Sequence, residues 1–433
     1  MRHGPRSDRL TPFFPCAHAA HPLWQHAVKQ VIVQLHAQVG MQNLQERTRL
    51  GVVYVSAAYA PHARDILAML TQAFPVVEHW VGSAAHAVLA GDMDYGHAGA
   101  IAVMLPCLQS HDYQVFSGMT PWQSAVLEPH AALIHGDACS PQLPQHLQGL
   151  RQHMPAAAMV GGLSDLHNQH AQWSWGKHAA GGMPVSIGGG GVQVGGLSGV
   201  VFSAQAACLE VGMQGCKPEG LARTITHVDG DVVLELDGQP ALEVLFGQVD
   251  WGGMLAQRNP NAHEVWQQVH QTLVAMTPAT TYQHGACLST DARVMRVVGV
   301  DPLRKGVVLD GLPLAGCTLM TCQKDDNAMR VDMRRACAEV WEAMTASVAH
   351  GTVDLPAEAP HGRSICGAIY IRNQARRSTP RTPQVDAELQ WIRHALGPVP
   401  LLGFTSTYEI DAGELQQLSA QLLVFTQPMQ ALL

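Results

Sequence analysis

Charge is scarce in this chain: 14% of its 433 residues are Asp, Glu, Lys or Arg, and the formal net charge is −8. No basic run occurs. Nucleic acid and anionic membranes are thereby disfavoured as main partners. No stretch is long and apolar enough to cross a bilayer as a helix. The ten cysteines include no CxxC pair, so neither a zinc ribbon nor a disulfide framework is indicated, and buried thiols are expected. CxxCH is absent, which argues against covalent haem attachment. No GxGxxG feeds a helix and no GKS or GKT occurs, so dinucleotide and P-loop readings fall. The first 15 residues are polar and broken by proline. They read as a flexible leader, not a signal peptide, and the expected compartment is the cytoplasm.

What the chain does have is a pattern that occurs three times. Ala63, Leu67, Leu70 and Phe74 fall on one helical face. Leu143, Leu147, Leu150 and Met154 keep the same spacing, as do Val385, Leu389, Ile392 and Leu396. Each stripe is followed by a proline (Pro75, Pro155, Pro398) that removes a backbone donor and stops the helix. A short apolar strand and glycine come next: Gly82, the pair Gly161–Gly162, and Gly403. An apolar strand precedes each stripe, at 51–56, 131–135 and 367–371, and another follows at 100–105, 198–203 and 421–426.

The implied fold class is α/β, tending to α+β. It consists of three related strand–helix–strand–Gly–strand modules in two closely packed domains. With 47% hydrophobic residues, a large core is expected. Three such modules suit layers of an ordinary α/β core. They also suit three Gly turns lining one pocket at the strand ends, where open sheets place ligands.

Elsewhere the pattern predicts a helix over 22–39 and a hairpin with strands at 221–228 and 231–236 around Asp229–Gly230. A short helix is expected at 241–246, a helical insertion at 250–285 and an amphipathic helix at 327–347. Strands are expected at 294–300, 306–309 and 318–321. The His-, Trp- and Gly-rich stretch 165–196 reads as a mobile loop, 106–130 as a polar crossover and 349–364 as a linker. Cys16 and His18 do not have zinc-signature spacing, and no metal is expected. His135 and Asp137 suggest an acid/base pair, although Asp137 equally suits capping the next turn.

These segments together resemble the FIST family of bacterial sensory proteins. The resemblance starts at Trp80–Leu105 (WVGSAAHAVLAGDMDYGHAGAIAVML) and continues in order. LIHGD (133–137), MVGGLS (159–164) and GGLSGVVFS (195–203) are followed by QGCKPEG (214–220) and LDGQPALEVL (236–245). VGVDP (298–302), KGVVLDG (305–311) and LLGFTSTYEIDAG (401–413) complete it. It spans roughly 16–427, implying a FIST N-like domain at 16–204 and a FIST C-like domain at 205–427. It implies a cytoplasmic signal-transduction sensor that binds a small, amino acid-like ligand. The matching positions that make candidate ligand contacts are Gly82, Gly161, Gly162, Gln214, Cys216, Gly403, Phe404 and Glu409. Cys216 and Phe404 would form an apolar wall. Glu409 would hold a cation or pair with Arg372 or Arg376.

Some members resemble haem-binding nitric oxide sensors that act on a histidine kinase. Non-covalent haem needs only one axial ligand, and His18 is the candidate. The chain departs from the family at the third module. Ile369–Arg377 stands where members often have Ser-Cys followed by Gly-Arg-Gly, and Tyr408–Glu409 replaces Gly-Glu. The alternative to a non-catalytic sensor is an enzyme using Cys216 or His135 with Asp137, which would require a base beside an activated nucleophile.

Overall fold

Apolar runs long enough for a strand, each followed by an amphipathic helix, set the framework. The computed structural model describes residues 13–117, 127–164, 171–176, 192–193, 195–247, 262–279, 288–289, 291–350, 362–376, 380–411 and 413–428. The chain forms two compact units. The larger takes the chain through Gly212, then Arg334–Glu414, then onward from Ala420; the smaller is Met213–Met333 with Leu415–Ser419.

The larger unit begins with β1 (Cys16–Ala20), α1 (Trp24–Gln42) and β2 (Leu50–Ser56). Helix α2 (Ala63–Ala73), β3 (His79–Ala85), β4 (Ala87–Ala90), β5 (Met93–Asp94) and β6 (Ala100–Met104) complete the first module. The second has β7 (Tyr113–Ser117), β8 (Ala131–Asp137), α3 (Leu143–His153) and β9 (Ala158–Ser164), then β10 (Gln172–Gly176), β11 (Val192–Gln193) and β12 (Leu197–Phe202). In both, helix-linked strands run parallel and the last strand returns antiparallel to the first: β2 to β3 and β6, β8 to β9 and β12. Both β2 and β8 are buried along their whole length. Such runs suit strands covered on both faces. The predicted α2 stripe is inside: Ala63, Leu67, Leu70 and Phe74 are all buried. Each large side chain of this kind contributes roughly 1.5–3 kcal/mol.

Strand β13 (Cys208–Met213) then leads into the smaller unit. Its strands are β14 (Cys216–Asp229), β15 (Val232–Leu236), β16 (Gln239–Pro240), β17 (Leu273–Thr277), β18 (Arg293–Asp301), β19 (Gly306–Leu309) and β20 (Thr318–Lys324). The sheet order is β14-β20-β17-β18-β19-β15, and β15 pairs back onto β14. The result is a closed antiparallel barrel around Ile225, Val233, Leu236, Val274, Val297 and Val307. Helices α4 (Ala241–Phe246) and α5 (Ala262–Gln271) accompany it. The hairpin turns at Gly230 with φ 61°, as Asp-Gly requires. The segment read as a helical insertion contains β17, because Leu273–Thr277 is a continuous run buried on both faces of the strand.

Helix α6 (Asp326–His350) returns the chain to the third module. That module comprises β21 (Arg363–Asn373), β22 (Gln384–Val385), α7 (Ala387–Leu396), β23 (Leu401–Ser406), β24 (Tyr408–Asp411), β25 (Glu414–Gln416) and β26 (Ala420–Pro428). Again β21 is parallel to β23 and antiparallel to β26. Val385 leaves the predicted stripe: it is exposed in β22. Helix α7 starts two residues later because the Asp386 side chain accepts from the Glu388 and Leu389 amides, the preferred N-cap arrangement.

The three sheets repeat one order. They run β1-β6-β2-β3-β10, β7-β12-β8-β9-β24 and β13-β26-β21-β23-β4. The last strand in each comes from another module. The first lends β4 to the third, the second lends β10 to the first, and the third lends β24 to the second. This cyclic exchange explains why the division at 204/205 does not describe the compact units. The third module belongs with the first two, and the barrel is inserted between β13 and α6. The predicted loop at 165–196 contains β10, and the crossover at 106–130 contains β7. The leader through residue 12, the glycine run at 188–191 and most of the linker at 349–364 lie outside the described residues.

Candidate functional site

The three marker glycines occupy equivalent places, but these are not turns. Gly82 lies within β3, Gly161 within β9 and Gly403 within β23. Each pairs with the preceding parallel strand: Gly82 with Val53, Gly161 with Ile134 and Gly403 with Tyr370. A Cβ would stand 1.8 Å from the Val53 carbonyl oxygen, 2.4 Å from that of Ile134 and 1.9 Å from that of Tyr370. On the other side lie the lent strands, with Trp173, Ile410 and Leu89 opposite the three glycines. Glycine is required for close strand approach, so the expected exposed backbone donors are instead sealed in the sheets.

The residues following Val53 and Ile134 meet in the interior. Tyr54 Oη and His135 Nε2 are 3.0 Å apart. The Phe404 ring lies 4.7 Å from that of Tyr54 and 6.0 Å from that of His135. Gly162 makes room for it: a Cβ there would come 2.9 Å from the Phe404 ring. Burial pushes His135 down to about 3, so the imidazole is neutral. Asp137 accepts the Cys139 amide at 2.8 Å and closes the turn. Glu409 lies opposite Gly162. It is fully buried and accepts from Ser406 Oγ and from Asn373 Nδ2.

Arg372 and Arg376 anchor a buried ionic network. Arg372 contacts Asp94, Asp386 at 2.8 Å and Glu388 at 3.1 Å; Arg376 contacts Glu388 at 3.0 Å. Tyr370 Oη donates to Glu388 at 3.0 Å. Burial raises Glu388, but the Arg376 and Arg372 guanidiniums overcome it and hold the carboxyl at about 2. Burial leaves Asp94 raised despite Arg372.

A surface groove in the same unit lies beside the β4–β5 hairpin. One recess of about 260 Å³ is lined by Cys16, His18, Gly91, Asp92, Arg393 and the 398–401 segment. A second of about 550 Å³ shares Asp92, Arg393 and Pro398, and adds Gln390, Trp391 and His394. Where the recesses meet, Arg393 Nη1 stands 3.5 Å from Asp92 Oδ2, both side chains partly exposed. Burial lowers His18; Asp92 opposes the shift and Arg393 adds to it. Tyr95, the residue after β5, hydrogen-bonds His18 Nδ1. Sequence reading missed Asp92, Trp391 and Arg393. Trp391 and Arg393 lie off the apolar stripe of their helix, and nothing local to Asp92 marks them as its neighbours.

The family model of the FIST N domain matches residues 49–239. The chain carries a FIST N domain. The match takes in the helix-linked strands of the first two modules and the first hairpin of the barrel. A domain of this family suggests a signal-transduction sensor role. No curated protein matches the chain. No described helix is long and apolar enough to cross a membrane.

In relation to the FIST N domain, the candidate residues divide between the units. Gly82, Gly161, Gly162, Gly403, Phe404 and Glu409 lie where the three modules meet, and His18 lines the groove. Gln214 and Cys216 belong to the barrel unit. There the Gln214 amide donates to Asp332 at 2.6 Å, and its side chain donates to the Ala292 carbonyl at 2.9 Å. Cys216 begins β14. Among the described residues no group of three His, Cys, Asp or Glu side chains forms a metal set.

The surroundings of His18 do not fit a haem. Tyr95 engages Nδ1 and leaves only Nε2 for an axial bond, at the edge of the recess beside Gly91. The recess beside it is smaller than the roughly 300–1,000 Å³ typical of small-ligand sites, and charges line it.

Proposed function

We propose that the chain is a non-catalytic sensor whose groove binds a small zwitterion of the amino-acid class. The observation that carries this reading is the Asp92–Arg393 pair where the two recesses join. An exposed ion pair contributes little, roughly 0–1 kcal/mol, so a ligand can replace it cheaply. The ligand carboxylate would take the Arg393 fork, which suits bidentate contacts. Its ammonium would take Asp92. Trp391 and Pro398 offer apolar surface to a side chain, and neutral His18 offers a hydrogen bond.

Ligand occupancy would be passed to a signalling partner, with a histidine kinase the candidate class from the family resemblance. The described cysteines are all free, which supports a reducing, cytoplasmic setting. The sealed interior position of His135, out of reach of a substrate, supports a sensor over an enzyme.

The test is a melting-temperature panel of the amino acids with the purified protein, since a ligand that binds the folded state raises stability by mass action. At least one should raise the melting temperature. Arg393→Ala and Asp92→Ala should each abolish that rise while leaving the ligand-free melting temperature nearly unchanged. A rise that survives both substitutions would remove the ligand from this groove. No rise with any amino acid would remove the ligand class.

A further inference from the structure

The barrel brings two thiols together. In the antiparallel β14–β20 ladder Cys216 lies opposite Lys324, and Cys322 opposite Pro218. Residues two places apart share a sheet face, so Cys216 and Cys322 are diagonal neighbours on one face. Both are buried, and their thiols hydrogen-bond. Diagonal neighbours have Cα atoms about 7–8 Å apart, with Cβ atoms somewhat closer. This lies just beyond ordinary disulfide geometry, so closing the bond requires the backbone to move. Cys216 is the first residue of β14 and follows Gly215, so the backbone can adjust at that end.

We propose that Cys216 and Cys322 form a peroxide-oxidised thiol pair, closing to a reversible disulfide that staples the first strand of the barrel to its last. Hydrogen peroxide supplies the oxidant. One sulfur, as thiolate, attacks a peroxide oxygen and breaks the O–O bond; the released hydroxide takes a proton, giving a sulfenic acid and one water. The second sulfur attacks that sulfenic sulfur and forms the S–S bond. Its proton leaves with the displaced hydroxide as a second water. Two thiols lose two electrons and the peroxide gains two.

The surroundings define which oxidant can act and how fast. The neighbouring Cys216 thiol and burial hold Cys322 protonated, so the thiolate fraction is small and oxidation is slow. A small uncharged oxidant enters such a site where a charged disulfide reagent does not. A bond closed at the limit of its geometry is strained, and strained disulfides are the readily reduced ones. The pair therefore responds to sustained peroxide and is restored by a dithiol.

The experiment uses the full chain, reduced, freed of reductant and held in millimolar hydrogen peroxide for a time course. Samples are denatured in an alkylating reagent, digested and mapped by mass spectrometry. The expected result is a linked peptide joining Cys216 to Cys322, two hydrogens lighter than the separate peptides and abolished by dithiothreitol. The alkylated forms of both cysteines should fall together, at least five-fold. Cys322→Ser should remove the linked peptide. Should that variant fail to fold, the wild-type map decides alone. The proposal is overturned if both cysteines stay alkylatable after exposed Cys139 is fully oxidised. It is also overturned if either becomes a sulfinic acid without a linked peptide forming.

Discussion

Tyr54 and His135, from equivalent strands of two different modules, hydrogen-bond across 3.0 Å in the sealed interior of the larger unit. Burial holds His135 near 3, against an ordinary value of 6.5. A depressed histidine favours the neutral folded state. Its contribution is fully present above 6.5 and is lost as pH falls from 6.5 towards about 3. The His135 ring protons should therefore show no titration above about pH 4 in an NMR series of the folded protein. Tyr54→Phe leaves a buried nitrogen without its partner and should cost about 1–3 kcal/mol in denaturant unfolding. A titration midpoint near 6.5 would contradict the sealed position.

The equivalence of the three glycines predicts equivalent damage. Gly82→Ala, Gly161→Ala and Gly403→Ala each press a Cβ onto a parallel-strand carbonyl. Overpacking of this kind costs about 1–3 kcal/mol and occasionally more. Gly82 should be the most sensitive, because its φ of 149° is also unfavourable for an L side chain. Urea midpoints of the three variants check this. By contrast, Gly149→Ala, where a Cβ meets nothing within 4 Å, should be neutral or slightly stabilising.

The network around Arg372 predicts an acid-side transition. Glu388 lies at about 2 against 4.5 ordinarily. Its contribution is present above 4.5 and is lost as pH falls towards about 2. At neutral pH Glu388→Gln removes a buried partner of both arginines and should cost about 3–5 kcal/mol. The difference between variant and wild type should shrink as the pH approaches 2. A constant difference between pH 7 and pH 2 would mean that Glu388 acts through packing alone.

Glu210 predicts the opposite slope near neutrality. Burial, then Asp411 and Glu339, raise it to about 7, against the pull of Arg335. A raised carboxyl favours the protonated folded state. Its contribution is fully present below 4.5 and falls as pH rises from 4.5 to about 7. Glu210→Gln should remove this slope and leave the protein more stable than wild type at pH 8 by about 1–3 kcal/mol. Thermal unfolding between pH 5 and 8 measures it.

The position of His18 predicts that added haem gives no Soret shift that depends on this residue. Spectra of the wild type and of His18→Ala after incubation with haem should coincide. A shifted band lost in the variant would place an axial ligand there.

Much of this architecture was legible because local signals agreed. The α2 stripe, the Pro stops and the Asp229–Gly230 turn each name their own structure from a few neighbouring residues. The glycines were legible as equivalent, since their place after each short strand repeats, but their role was not. A glycine that closes a turn and one that admits a neighbouring carbonyl look alike until the partner strand is known. The lending of β4, β10 and β24 was illegible for the same reason: their hosts lie far along the chain. Gly162 and Phe404 were both named, but their contact depends on that exchange. Asp92 and Arg393 meet only because the hairpin lent by the first module is placed beside α7.

The cyclic lending of strands also imposes a schedule on synthesis. When β4 leaves the ribosome, its host β23 does not yet exist, and neither does β24, the guest of β9. The chain from residue 91 to 406 must still be made, at roughly 5–20 residues per second. For an interval on the order of tens of seconds the first two modules carry unpaired strand edges, the surfaces on which chains aggregate. The ring closes only when the last module arrives, so a ribosome that stalls late leaves a product with most of its residues and none of its closure.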